Sequence, residues 1–428
     1  MSLKKPQIQN ARTHDGLKPQ TFTQAGARYQ ADVSVGPSDS GLSDAFGRMR
    51  VATPFTIFDS KMINDNSPLF WDDAQTSGAG TGSTYNANQA SVSLTVGNLT
   101  AGTRVRQTKR RFNYQPGKSH LVVTTFVMGA GTAGITRRVG YFDDQNGIFL
   151  QQSGSTLSIV RRSYVTGSAV DTVVNQSSWT LDKFDGTGVS GITLDITKTQ
   201  IFFMDLEWLG VGRVRCGFYI NGLPFYVHEF LNANTLSTVY MSRPNLPIRW
   251  ELSNDGTGAA ASLTHICSSV VVEGGQDDTG FVRAYNMANR VITAGAAGTR
   301  YPILGIRLKP AYLDITVNLI GHSILCSTPN DQFCWQWVLN PTTTASGTFS
   351  DIADSAAQVY EGTSTISMSG GTVISSGYGV SNLIASQDVR SHLLLGSTIN
   401  GTADRIYLGV IPFASLQVSA AIQWRELV

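Results

Sequence analysis

From about residue 44 onward the sequence alternates between short apolar runs and clusters of Gly, Asn, Asp and Ser, and helical periodicity is almost absent. Runs such as His120 to Met128, Gln200 to Trp208, Leu223 to Phe230 and Pro247 to Leu252 are too short for helices of ordinary length. They are bounded by the residues that turns demand. A chain punctuated in this way buries its apolar side chains by pairing strands into sheets and packing the sheets face to face. The sharpest local signal is Ile220-Asn-Gly-Leu223. Asn-Gly accepts the positive φ of a type I′ turn, so the spacing predicts a two-residue hairpin there.

The expected architecture is all-β: an N-terminal extended arm followed by two antiparallel β-sandwich, jelly-roll-like domains. Residues 1–42 are polar, hold three prolines and show no sustained periodicity, which reads as an attachment arm with Phe22, Tyr29 and Val33 as anchors. Residues 43–274 form the first sandwich. Gly274, Gly275, Asp277 and Asp278 make a linker, and residues 275–428 form the second. The second closes on Leu416 to Leu427, whose alternation fits a half-buried strand, while Thr363 to Gly379 reads equally as hairpin edges or as loop.

Composition excludes several classes of function. Lys plus Arg number 32 against 30 Asp plus Glu, so no field for a polyanion is implied and nucleic acid is not an expected partner. The basic residues Arg104, Arg106, Lys109, Arg110 and Arg111, and the pair Arg161 and Arg162, read as solvated strands or inter-subunit ion pairs. No apolar stretch approaches the roughly 20 residues of a spanning helix, and no apolar run follows the lysines of the N-terminus as in a secretory signal. The expectation is a chain made and assembled in a cytoplasm, without membrane insertion. Cys216, Cys267, Cys326 and Cys334 are widely separated and read as buried thiols.

Chemistry is sparse. No G-x-S-x-G elbow, H-E-x-x-H pair or Walker loop is present, and six histidines lie singly, so no catalytic set, metal or cofactor is expected. Among acid pairs, Asp143-Asp144 reads as turn chemistry, whereas Asp205 and Glu207 share one strand face as a polar exposed edge and are the pair a glycan depolymerase would use. Gly210-Val-Gly-Arg-Val stands between strands and reads as a connection, not a phosphate cradle. Trp208, Trp250 and Trp424 sit in alternating strands and read as core. Trp71, in the turn-rich Ser-Pro-Leu-Phe-Trp-Asp-Asp, and Trp335 with Trp337 are the surface candidates for stacking on a glycan.

The stretch Ser43-Asp-Ala-Phe-Gly-Arg-Met-Arg-Val-Ala-Thr-Pro-Phe-Thr-Ile-Phe-Asp-Ser-Lys61 resembles a motif of virion structural proteins of tailed bacteriophages. Arg138 to Phe149, Trp208-Leu-Gly-Val-Gly-Arg-Val-Arg215, Asn232 through Tyr240 to Arg249, and Gln423 to Leu427 are similar to the same group. The resemblance implies a particle component with a concanavalin-A-like middle region, placed on the capsid surface, neck or tail, and it brings no catalytic residue. It also implies a homo-oligomer, with a trimer expected by analogy, joined to other virion proteins through the arm. Within the motif, Arg48 or Arg50 is expected to pair with Asp59 or with a neighbour's carboxylate. The reading is a non-enzymatic structural protein, with a receptor-binding, glycan-engaging module as the alternative and a depolymerase behind it.

Overall fold

The computed structural model describes residues 54–277, 280–329, 331–381 and 395–427, together with the backbone of 21–24, 27–30 and 385–388. Of the arm, β1 (Thr21–Gln24) and β2 (Ala27–Gln30) pair antiparallel. Arg48 and Arg50 lie outside the described residues. Every strand pairing is antiparallel, and among the described residues there is no α-helix.

The first sandwich runs from β3 to β17: β3 (Pro54–Lys61), β4 (Trp71–Gly78), β5 (Thr81–Asn86), β6 (Ser91–Val96), β7 (Gly102–Thr108), β8 (His120–Val127), β9 (Thr132–Phe142), β10 (Gly147–Gly154), β11 (Thr156–Ser163), β12 (Val170–Asn175), β13 (Gln200–Leu206), β14 (Val214–Ile220), β15 (Leu223–Phe230), β16 (Ile248–Asn254) and β17 (Ala261–Glu273). One sheet has the order β12-β11-β10-β9-β16-β7-β4 and the other β15-β14-β13-β8-β17-β6-β5. The long strand β17 carries β8 on one flank. On the other flank its N-terminal half pairs with β6 and its C-terminal half with β3.

Alternation sets which side chains meet between the sheets. Phe202, Met204 and Leu206 of β13 join Val122 and Phe126 of β8 and Val139, Tyr141, Ile148 and Trp250 of the facing sheet in one core. Ile201, Phe203 and Asp205 therefore point to the outer face. The Asn-Gly hairpin forms as expected: Ile220 is opposite Leu223, with φ of 51° at Asn221 and 80° at Gly222.

The second sandwich holds β18 (Phe281–Asn286), β19 (Ile292–Ala294), β20 (Tyr301–Leu308), β21 (Thr316–Cys326), β22 (Gln332–Leu339), β23 (Thr342–Thr343), β24 (Phe349–Asp351), β25 (Ala357–Glu361), β26 (Met368–Ser369), β27 (Thr372–Val380), β28 (Ala385–Asp388), β29 (Arg405–Pro412) and β30 (Leu416–Leu427). Its sheets are β18-β30-β21-β28, with β19 also on β30, and β24-β25-β20-β29-β22-β27. Strand β30 alternates as its sequence predicts, sending Leu416, Val418, Ala420, Ile422 and Trp424 inward. The Ser/Gly/Thr-rich piece resolves into β26 and the edge strand β27. Strand β21 begins at Thr316, after a short 3-10 turn at Pro310–Tyr312.

Among the described residues the two cores share no member, and no sheet crosses from one sandwich to the other. Gly274 and Gly275 join them with φ of 85° and 80°, values that favour glycine. Polar contacts pin the joint. Lys118 meets Asp277 at 2.8 Å, Ser397 N–H donates to the Lys109 carbonyl at 2.8 Å, and Ile399 N–H donates to Asp72 Oδ2 at 2.7 Å.

Candidate functional site

On the outer face of β13, Asp205 lies directly across from Arg215 of β14, and their side chains form an ion pair at 2.5 Å. The aspartate side chain is 0% exposed and the arginine 2%. The Arg215 guanidinium sits 4.4 Å over the Tyr226 ring, which in turn meets Phe203 edge-on at 5.1 Å. Gly217 makes that crowding possible, because a Cβ there would lie 2.5 Å from the Phe203 ring. Glu207 follows on the same side and is equally buried. Its N–H donates to the Arg213 carbonyl at 3.2 Å, and its carbonyl accepts the Tyr240 hydroxyl at 3.1 Å. Burial pushes the Cys216 thiol up, with the Asp205 charge adding to it.

The exposed acidic edge expected from the sequence is thus a sealed, paired cluster. Alternation placed Asp205 outside the core, but only the register of β14 and β15 reveals that Arg215 and Tyr226 close over it. As expected, Trp208 to Arg213 connects two strands: Gly210 has φ of 76°, and its carbonyl accepts the Tyr240 N–H at 2.8 Å.

The tryptophans expected at a glycan surface are core residues. Trp71 is 2% exposed, Trp335 3% and Trp337 0%. Trp71 opens β4 facing inward, donates its indole N–H to Ser60 Oγ at 2.8 Å and packs edge-on against His265 and Trp250. His265 stacks on Trp250 at 3.8 Å and accepts from Arg106 Nε at 3.1 Å. In the second sandwich, Trp337 donates to His322 Nδ1 at 3.1 Å, and Gly377 of the neighbouring strand leaves room for the Trp335 ring. Each indole has an apolar bed, and the N–H of Trp71 and of Trp337 has an acceptor, which is what burial of a tryptophan requires. Trp250 and Trp424 are buried as expected, and Trp208 is half-buried.

The basic residues are likewise engaged within the chain. Arg104 pairs with Asp73 at 2.5 Å, and Arg106, almost wholly buried, reaches the same carboxylate at 3.4 Å. Burial lowers the Arg106 pKa to about 10 against the pull of Asp73. Arg110 donates to the Ile57 carbonyl, while Arg111 reaches Asp143 and Ser397. On the outer face of the other sheet, Glu251 is gripped by Arg138 and Arg249, both at 2.5 Å. Burial raises the Glu251 pKa, but the two arginines outweigh it and hold the carboxyl below its ordinary value. Asp143 is turn chemistry as expected, accepting from the N–H groups of Gln145 and Asn146. Asp59 is exposed on β3.

Among the described residues, no group of three or more His, Cys, Asp or Glu could hold a metal ion, and no helix is long and apolar enough to cross a membrane. Several large apolar side chains nevertheless stand in solvent. Tyr378 is 77% exposed, with its ring 6.4 Å from that of Phe413, and Val373 and Val380 of the same strand are uncovered too. Tyr378 and its strand lie in a Ser/Gly-rich stretch without a tryptophan, so little in the sequence marks this surface.

No protein-family model matches the chain, and no curated protein matches it. Solved structures are similar to about half of it. The carbohydrate recognition domain of Emp47p matches at 12% identity and a TM-score of 0.30, over 51% of this chain and 96% of that one. A β-1,3-glucanase from Mycobacterium marinum matches at 13% and 0.34, over 50% and 98%. The Bacteroides ovatus mixed linkage glucan GH16 protein, solved with a G4G4G3G product, matches at 10% and 0.34, over 50% and 99%. Similarity of that degree assigns neither ligand nor reaction.

Proposed function

We propose that the chain is a non-enzymatic structural subunit of a tailed-phage particle that works by protein–protein assembly. The observation that supports this reading is a contrast within the molecule. The acids and tryptophans that chemistry or glycan binding would use are sealed inside ion pairs and cores. Apolar side chains, by contrast, stand uncovered on strand β27 and its neighbour Phe413. A protein that seals its acids and indoles and leaves large apolar side chains uncovered on one strand is fitted to contact other protein surfaces. The motif beginning at Ser43 adds the particle context, and the arm that precedes it supplies an attachment segment.

The test is peptide mass spectrometry of purified particles from the source, counting this chain against the major capsid protein. Hundreds of copies place it on the capsid surface, and a small multiple of three or six places it in a neck or tail appendage. Absence from particles refutes the proposal. A variant lacking residues 1–42 is expected to be soluble and folded but to fail to join particles. A glycan array is expected to register no binding.

A further inference from the structure

We infer that β27 is an assembly edge that pairs antiparallel with β27 of a second copy of this chain, joining two six-stranded sheets into one. The inference rests on the assembly reading above and names its partner.

A strand at the end of a sheet presents a row of unpaired N–H and C=O groups, and folded chains ordinarily blunt such edges with charge, proline, short length or cover. The other sheet ends of this molecule carry those devices. Strand β12 has Asp171, β4 has Asp72 and Asp73, and β15 has Pro224 and Glu229. Strand β18 has Arg283, β28 is four residues long and ends at Asp388, and β24 is three residues long with Asp351. Strand β3, on the flank of β17, has Pro54, Asp59 and Lys61. Strand β5 lacks charge but is tied to the facing sheet, where Ser83 bonds Asp73 and Thr81 bonds Gln75.

Strand β27 has neither charge nor proline, and its one bulge, at Ile374, leaves Ser375 to Val380 in unbroken register with β22. It is nine residues long and ends its sheet, with β22 its one partner among the described residues. No charged residue and no proline occurs between Glu361 and Asp388. Its side chains also divide cleanly by face. Gly377 and Gly379 lie flat against the rings of Trp335 and Phe333, where a Cβ would come within 2.5 Å and 2.3 Å. Ser376, Tyr378 and Val380 alternate to the other side and are exposed. The glycines seat the C-terminal part of the strand on the core, where Ser375 to Val380 pair with β22 without a break, and Tyr378 with Phe413 forms an apolar shelf beside that edge.

The occupant follows from charge and symmetry. An edge without charge does not repel its own copy and offers no charge by which a different partner would be selected. A two-fold axis normal to the sheet brings two such edges together antiparallel and sets both Tyr378–Phe413 shelves on the same side, making a continuous apolar face. Isologous two-fold pairing is also the commonest closed symmetry of homo-oligomers.

The test is sedimentation velocity on the full chain at micromolar concentration. Wild type is expected at twice the 46.1 kDa chain mass. Tyr378→Lys and Ser376→Lys, both at exposed positions, are each expected to return it to the single-chain mass with an unchanged circular dichroism spectrum. Val170→Lys, on the exposed edge strand β12, is expected to leave the pair intact. A larger assembly that Tyr378→Lys cuts to half its mass also supports the inference. A monomeric wild type, or any oligomer that withstands both β27 lysines, overturns it. A wild type that is monomeric in solution yet abundant in particles sinks this interface while leaving the assembly reading standing.

Discussion

Separating Asp205 from Arg215 is expected to unfold the first sandwich far more readily than its position outside the core would suggest. The pair is 2.5 Å apart, with side chains 0% and 2% exposed, so neither charge has water to fall back on. Two unit charges about 4 Å apart attract by about 4 kcal/mol at an effective dielectric constant of 20, and this attraction offsets a desolvation cost of several kcal/mol per ion. Asp205→Asn removes the counter-charge 2.5 Å from a guanidinium buried against Tyr226, and Arg215→Met removes it from the carboxylate. Each is expected to cost about 3–5 kcal/mol. The double variant Asp205→Leu/Arg215→Met buries two apolar side chains instead and is expected to stand within about 2 kcal/mol of wild type. The assay is a double-mutant cycle by urea unfolding, following the transition of the first sandwich separately because two cores need not melt together. Single variants that cost less than about 1 kcal/mol, or a double variant that costs the sum of the singles, would refute the claim that a sealed ion pair organises this face.

Three further outcomes follow. His120, His228 and His322 have pKa values lowered to about 4 by burial, and burial followed by the charge of Arg106 holds His265 well below its ordinary value. The unfolded chain therefore binds more protons, and stability should be full above about pH 6.5 and fall as the pH drops toward 4; a urea midpoint that stays flat across that window contradicts it. Trp71→Ala is expected to cost about 3–5 kcal/mol through the cavity it leaves, read as a lower midpoint for the first sandwich. Gly377→Ala drives a methyl into the Trp335 ring and should cost about 1–3 kcal/mol in the second sandwich alone, measured by differential scanning calorimetry.

Elements whose signal is local were legible in the sequence. Asn221-Gly222 needs only two residues to specify its turn, and Leu416 to Leu427 carries its alternation on its face. Residues whose surroundings come from strand register were not. Trp71 is followed by two aspartates and looks solvent-facing, yet Asp73 points inward to meet Arg104 and Arg106 from the adjacent strand. Trp335 and Trp337 share one face of β22, and nothing within that strand says which face is dry. The usable signal lay elsewhere for Trp335, in Gly377 and Gly379, which lie opposite Trp335 and Phe333 and are the vacancies that large rings on a neighbouring strand require. For Asp205, parity correctly placed the side chain off the core, and the error was to equate that with exposure.

The way β17 gathers β8, β6 and β3 bears on the order in which the molecule is built during synthesis. Strand β3 leaves the ribosome first among the strands of its sandwich, and its pairing partner, the C-terminal half of β17, leaves last. Until that half emerges, β3 has no strand to dock on, and pairings between distant parts of a chain close late. The segment that precedes β3 in sequence includes residues 1–42, proposed above as an attachment arm. The start of β3 is therefore docked only when the whole sandwich has been translated, and truncated or half-made chains lack that docking. Under the proposed assembly role, the topology acts as a completeness check on which copies can join.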